Sequence, residues 1–226
     1  MGQYRAEIMK GLGEAFQFHD PPKQIRKHYP YSEYRSVLIC TPPETHENAI
    51  LEVWNQTGGQ TPIFVEKPLI AHSDSLEGHP ILGLKKSMVG CNYRFNEPYL
   101  ANLRDICNIG FGYPSFVSSD LIHFFDLFYE HFGEYTKAEY KDQTLMLEYP
   151  NKKVFIYGTV DILPYHSVIV TNGDGVKSDF NNCPNSFVKE MEHWFNVVDG
   201  KEESVNKFGK AYTRCLKLFS LLECKV

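Results

Sequence analysis

The stretch Val37–Leu69, VLICTPPETHENAILEVWNQTGGQTPIFVEKPL, decides the reading of the fold. An apolar run from Val37 to Cys40 precedes a Thr-Pro-Pro turn. Ala49, Ile50, Val53 and Trp54 then recur at helical spacing, Gly58-Gly59 breaks the helix, and a second apolar run, Ile63 to Val65, ends in Glu66-Lys67-Pro68. Strand, helix and strand in that order form a βαβ unit with parallel strands. Open parallel sheets bind their ligands outside the carboxyl ends of the strands, so Thr41–Pro43 and Glu66–Pro68 are expected to face one site.

A chain of 226 residues is long enough for one large domain or two modest ones. The formal charge of -5, with acidic and basic residues interspersed, leaves no footprint for nucleic acid. Six cysteines (Cys40, Cys91, Cys107, Cys183, Cys215 and Cys224) form no CxxC pair and follow no regular spacing, which reads as reduced thiols. With no secretory apolar segment at the N-terminus and no run of about 18 apolar residues, the expectation is a soluble cytoplasmic protein without a membrane partner.

Outward from the βαβ unit, Ile8, Met9 and Leu12 predict a helix over the first residues, with Gly2 at its beginning and Gly13 able to cap its end. Ala15–His19 reads as a short strand closed by Asp20-Pro21-Pro22. Asp20, 18 positions after Gly2, fits the ribose-binding acid of a dinucleotide fold, although by itself the feature is more often a plain Asp-Pro turn. Met88–Phe95 reads as one more strand, followed by a helix from about Glu97 to Cys107. Ser118–Gly133, SSDLIHFFDLFYEHFG, is a helix apolar nearly all round and therefore buried. Along it Asp120, His123 and Asp126 form a polar track that needs partners or a cavity, and His123 is either a satisfied core histidine or a functional one. Thr144–Tyr149, Lys153–Gly158 and Ser167–Val170 alternate as antiparallel strands, and two helices end the chain, the last from about Val205 to Cys224.

Four motifs in this order, TPPETH at 41–46, VEKPL at 65–69, NYRFN at 92–96 and IHFFD at 122–126, resemble the Gfo/Idh/MocA family of oxidoreductases. The fold class this implies is α/β: a Rossmann-like parallel sheet lacking its first strand over residues 1–88, then an α+β domain with a mostly antiparallel sheet over 89–226. The implied activity is hydride transfer between NAD, with NADP left open, and a hydroxyl or ketone of a sugar, polyol or nucleotide sugar. By the same resemblance Gly2 matches the last glycine of the phosphate-binding turn, Asp20 the ribose ligand, and Thr41, Pro42 and His46 the loop along the cofactor. Glu66 and Lys67 match the pair beside the nicotinamide ribose, with Lys67 assigned to acid/base work. His123 matches the catalytic histidine, Arg94 lies in a segment bordering the substrate, and Asp126 is placed with it. A homo-oligomer is implied as well, and no metal.

The chemistry suits these residue types. Oxidising a carbinol requires removal of its hydroxyl proton, and a lysine whose ammonium is disfavoured by burial and by a neighbouring cationic ring can take it, with a histidine sharing or relaying it. Two departures from the family pattern stand out. The family begins with a strand and GxGxxG where this chain starts at Met1-Gly2, so weak or no dinucleotide binding is expected of this polypeptide. Ser119 holds the family's aspartate position, while Asp120, one residue later, is still a helical neighbour of His123. Two other readings remain: a non-catalytic remnant of the fold acting in dimerisation or partner binding, and a metal hydrolase built on His123, Asp126 and His131 or His166.

Overall fold

Val37–Leu69 folds as the βαβ unit its pattern predicts. In the computed structural model, which describes residues 2–17, 29–71, 76–96, 106–111, 118–142, 144–158, 168–172, 177–179 and 184–223, β1 (Val37–Ile39) and β2 (Ile63–Val65) are parallel, with Val37 opposite Ile63 and Ile39 opposite Val65. Between them runs α2 (Pro43–Thr57), following α1 (Gly2–Gly11) in the chain. Pro43 at the first helical position loses no intrahelical hydrogen bond, and Gly58 closes the helix in the left-handed conformation, its N–H donating to the Trp54 carbonyl at 2.8 Å. His46, Ile50, Val53 and Thr57 form its buried stripe, and burial of Ile50 or Val53 stabilises by about 1.5–3 kcal/mol each.

The residues fall into two units, Met1–Gly90 with Phe187–Cys215 and Cys91–Ser186 with Leu216–Val226. The first holds a three-stranded parallel sheet in the order β1, β2, β3 (Ser87–Val89). Its central strand, Ile63-Phe64-Val65, is wholly buried, as a strand covered on both faces must be. The far edge of β3 meets Asn206, whose carbonyl accepts from the Val89 N–H at 3.0 Å and whose side-chain amide donates to the Val89 carbonyl at 3.3 Å. Trp194, on α4 (Pro184–Val198), packs edge-on against Phe64, and α5 (Phe208–Glu223) buries Phe208, Tyr212 and Cys215. α1 ends in a paired turn around Gly13 (φ 76°), with Glu14 N–H donating to Met9 and Gly13 N–H to Lys10.

The second unit holds a six-stranded mixed sheet. Its strands are β4 (Ile106–Phe111), β5 (Lys137–Lys141), β6 (Thr144–Tyr149), β7 (Lys152–Gly158), β8 (Val168–Asn172) and β9 (Lys177–Asp179), in the spatial order β5-β6-β7-β4-β8-β9. Every pairing is antiparallel except β4 with β7. Leu145 pairs with Ile156 and Leu147 with Val154 on one buried face. The helix α3 (Ser118–Phe132) buries Leu121, Phe124, Phe125, Leu127 and Phe128, and Phe132 reaches the Tyr149 ring of β6.

Two sequence-based expectations are corrected. The helix foreseen from about Glu97 to Cys107 fails at its last two positions, because Ile106 and Cys107 open β4, which is hydrogen-bonded on both sides, by β7 and β8; residues 97–105 lie outside the described residues. Long-range pairing outweighs local helical preference there. Residues 14–17 have no regular structure, so Ala15–Gln17 is not a strand; no described strand pairs with it, and an unpaired strand is not stable. The foreseen strand's remaining residues, Phe18 and His19, lie outside the described residues. Cys40, Cys91 and Cys215 are reduced thiols. Among the described residues no helix is long and apolar enough to cross a membrane.

Candidate active site

Two turns at the carboxyl ends of β1 and β2 meet through one side chain. His46 lies on the buried face of α2 and is fully enclosed. Its Nε2 is 2.7 Å from the Thr41 carbonyl oxygen and its Nδ1 is 2.8 Å from the Pro68 carbonyl oxygen. The Thr45 hydroxyl, 2.8 Å from both the Pro42 carbonyl and the Thr41 hydroxyl, closes the first turn of α2. Thr41–Pro43 and Glu66–Pro68 are therefore neighbours, as the βαβ pattern requires. The Lys67–Pro68 peptide is cis.

Glu66 and Lys67 part company at the end of β2. Lys67 is half-buried, whereas Glu66 turns inward and forms an ion pair with Arg5 of α1. Arg5 also meets Glu190 of α4, Nη2 to Oε2 at 2.7 Å, and lies over the Phe64 ring at 4.5 Å. Burial disfavours the Arg5 charge, but Glu190 and Glu66 outweigh it and hold its pKa above the ordinary arginine value. Nearby, burial and then the charge of Glu66 push the Cys40 thiol up to about 12, so it stays protonated and a poor nucleophile.

In the second unit a short 3₁₀ turn, Asn92–Phe95, lies against α3. The Tyr93 ring stacks on the His123 imidazole, centroids 4.3 Å apart and planes inclined by 20°. Arg94 forms two hydrogen bonds with Asp126 and a longer ion pair with Glu130 at 3.2 Å. Burial disfavours the Arg94 charge, and the adjacent Asp126 more than restores it, raising its pKa. Arg94 and Asp126, both expected at the substrate, thus bind one another. Asp120 lies on α3 three residues before His123.

Gly2 opens α1 and Thr41 and Pro42 precede α2, at the positions expected of them, whereas Asp20 lies outside the described residues. Lys67 belongs to the first unit and His123 to the second. Arg5, Glu190 and Tyr93 were not singled out from the sequence. A signal for the first two exists: Arg5 shares a helical stripe with Ile8, Met9 and Leu12, and Glu190 shares one with Phe187, Met191 and Trp194. Opposite charges on two apolar stripes point to a buried pair. Among the described residues no three His, Cys, Asp or Glu side chains cluster as metal ligands, and His166 lies outside them.

No protein-family model and no curated protein sequence matches the chain. Solved structures do. A dehydrogenase, MviM, from Clostridium difficile superposes with a TM-score of 0.67 at 16% identity, covering 100% of this chain and 88% of that one. An oxidoreductase from Agrobacterium radiobacter, in complex with NAD+, L-tartaric acid and magnesium, gives 0.63 at 15% identity over 96% of this chain and 84% of the other. UDP-N-acetylglucosamine 3-dehydrogenase GnnA from Acidithiobacillus ferrooxidans gives 0.60 at 17% over 96% and 84%. At these identities the likeness establishes the fold: a Rossmann-like parallel sheet followed by an α+β unit.

Proposed function

We propose that the protein is an oxidoreductase of the Gfo/Idh/MocA type that uses NAD or NADP on a hydroxyl or ketone of a sugar, polyol or nucleotide sugar. The observation that carries this reading is the place of TPPETH and VEKPL: they end adjacent parallel strands, and the fold around them is shared with dehydrogenases. Lys67, half-buried just after β2, suits the nicotinamide end of a dinucleotide, because it lies at the carboxyl ends of the parallel strands in the turn that His46 ties to Thr41. Thr41, Pro42 and the start of α1 at Gly2 would complete the cofactor contacts, with Asp20 the proposed ribose ligand.

The nicotinamide, when bound, supplies the hydride acceptor or donor. The chain's own residues handle the proton. Lys67 takes it from the substrate hydroxyl at Nζ or returns it there. His123 is the proposed catalytic histidine, with Asp120 as its helical neighbour in the aspartate role. Arg94 and Asp126 hold the 92–95 turn against α3 and so shape the substrate side. Met146 and Phe155, paired on the other face of β6 and β7 and only partly buried, give a homo-oligomer an apolar surface to use, and the cytoplasm is the proposed compartment.

The test is a screen of sugars, polyols and nucleotide sugars for reduction of NAD and NADP, with Lys67→Ala measured on any active substrate. Loss of the general base is expected to lower turnover by about 10²–10⁴-fold. A Lys67→Ala protein that lost binding but kept its rate would defeat the assignment. Absence of turnover across the whole screen, in a folded protein that binds neither NADH nor NADPH, would favour a non-catalytic role in dimerisation.

A further inference from the structure

Lys67 stands between two residues that are each held from inside the protein. On one side, the Glu66 N–H donates to the Ile39 carbonyl at 2.8 Å and its carboxylate is ion-paired with Arg5. On the other, the Pro68 carbonyl meets His46, whose second ring nitrogen meets the Thr41 carbonyl. We propose that Arg5 and His46 are positioning residues for Lys67, fixing the backbone on either side of it and hence the direction of its ammonium. The proposal rests on the reading of Lys67 as the proton-transfer residue.

The ionic cluster is an expensive way to hold a core together. Arg5 and Glu190 are essentially inaccessible to solvent and Glu66 nearly so. Apolar side chains of similar volume often pack as well or better at such positions. What apolar packing lacks is direction. Arg5 Nε donates to Glu66 Oε1 while Nη2 faces Glu190, so the guanidinium ties Glu66 to both α1 and α4. Its surroundings are tight: a β-carbon added at Gly90 would lie 3.2 Å from Glu66 Oε2 and 3.3 Å from Arg5 Nη2. With Glu66 held on one side and the Pro68 carbonyl on the other, the backbone that carries Lys67 has little freedom to turn.

His46 acts on the other flank. Both of its partners are carbonyl oxygens, so a neutral ring satisfies one and an imidazolium both, and in either state the ring spans the two turns. It connects the backbone after Lys67 with the backbone before α2, setting the spacing of the turns. A cofactor lying along Thr41 and Pro42 and a base at Lys67 would thereby keep a constant separation. Displacement of a reacting group by about 1 Å lowers a rate by about 10²-fold, enough to select for two such anchors.

The experiment uses the full chain, reductively methylated with ¹³C-formaldehyde so that each lysine gives its own methyl resonance. The Lys67 signal is assigned by its disappearance in Lys67→Arg. Its position in the native protein is expected to differ from those of the exposed Lys10 and Lys85. Arg5→Lys keeps the buried charge without the fork, and His46→Asn keeps one donor; both are expected to fold and to move the Lys67 signal toward the exposed-lysine position while Lys10 and Lys85 stay put. His46→Phe, which keeps the ring and removes both contacts, should move it further. On a substrate found in the screen, the same variants should lower kcat by about 10²-fold while NADH affinity by fluorescence stays within about threefold. An unmoved Lys67 signal in the folded variants overturns the proposal, as does an unchanged kcat. If the native protein turns over no substrate yet the signal moves in every variant, the positioning stands and the oxidoreductase reading falls.

Discussion

Arg94 grips Asp126 through two parallel hydrogen bonds, Nε to Oδ2 at 2.6 Å and Nη2 to Oδ1 at 2.7 Å, with both side chains 8% exposed. Removing one charge of such a pair leaves the other in a poor solvent. Asp126→Asn is therefore expected to destabilise the protein by about 3 kcal/mol, read from urea denaturation, the nearby Glu130 keeping the loss at the lower end of the buried-pair range. The double variant Arg94→Met, Asp126→Leu should recover most of that loss, since no charge is then stranded. A single variant within about 1 kcal/mol of the native protein would show the pair to be solvated in solution.

Gly59 is the residue for which the break after α2 leaves least freedom. Its φ is 77°, and a β-carbon there would lie 2.4 Å from Cζ3 of Trp54. Gly59→Ala should destabilise by about 2–4 kcal/mol and change Trp54 fluorescence, because the indole must move. Gly58 has φ 56° with nothing within 4 Å of an added β-carbon. Gly58→Ala should thus lose only about 1 kcal/mol, the backbone term alone. Equal losses in the two variants would mean that the Trp54 contact contributes nothing.

Cys40 links stability to alkaline pH. Its thiol is pushed up to about 12 in the folded protein by burial and by Glu66, against 9.0 ordinarily. Below about pH 9 the thiol is protonated in both states and stability is unaffected. Between about pH 9 and 12 the unfolded chain releases the proton while the folded chain retains it, so stability falls as pH rises. Urea midpoints at about pH 8 and 10.5 should differ more in the native protein than in Cys40→Ala. Rapid alkylation of Cys40 by iodoacetamide at neutral pH would contradict the shift.

The Tyr93 ring fixes the plane of His123. Tyr93→Phe preserves the stack and should leave the His123 ring-proton shifts nearly unchanged. Tyr93→Leu should release the ring-current shift of the imidazole protons and lose about 0.5–1.5 kcal/mol beyond the change in buried area. Identical His123 spectra in the native and Leu proteins would show that the rings do not stack in solution.

The parallel architecture was legible because its signals are local. The wholly apolar Ile63–Val65 run, the helical stripe of Ile50 and Val53 and the Gly58-Gly59 break each depend on neighbours within a few residues, and each folds as read. The same holds for α3, whose all-round apolarity foretold its burial. The segment around Ile106 was misread because its strand state is imposed by β7 and β8, which lie far away in the chain.

The order of elements, the two strand-end turns and the presence of Lys67 and His123 on them and on α3 followed from residue pattern, since periodicity and turn chemistry are carried by adjacent residues. Which charges turn inward did not. Glu66 and Lys67 read alike as a charged pair after a strand, and only the packing of α1 and α4 onto β2 brings Arg5, 61 positions from Glu66, and Glu190 to the first of them. A buried charge is set by the partner that meets it in space, and that partner comes from wherever the fold returns the chain.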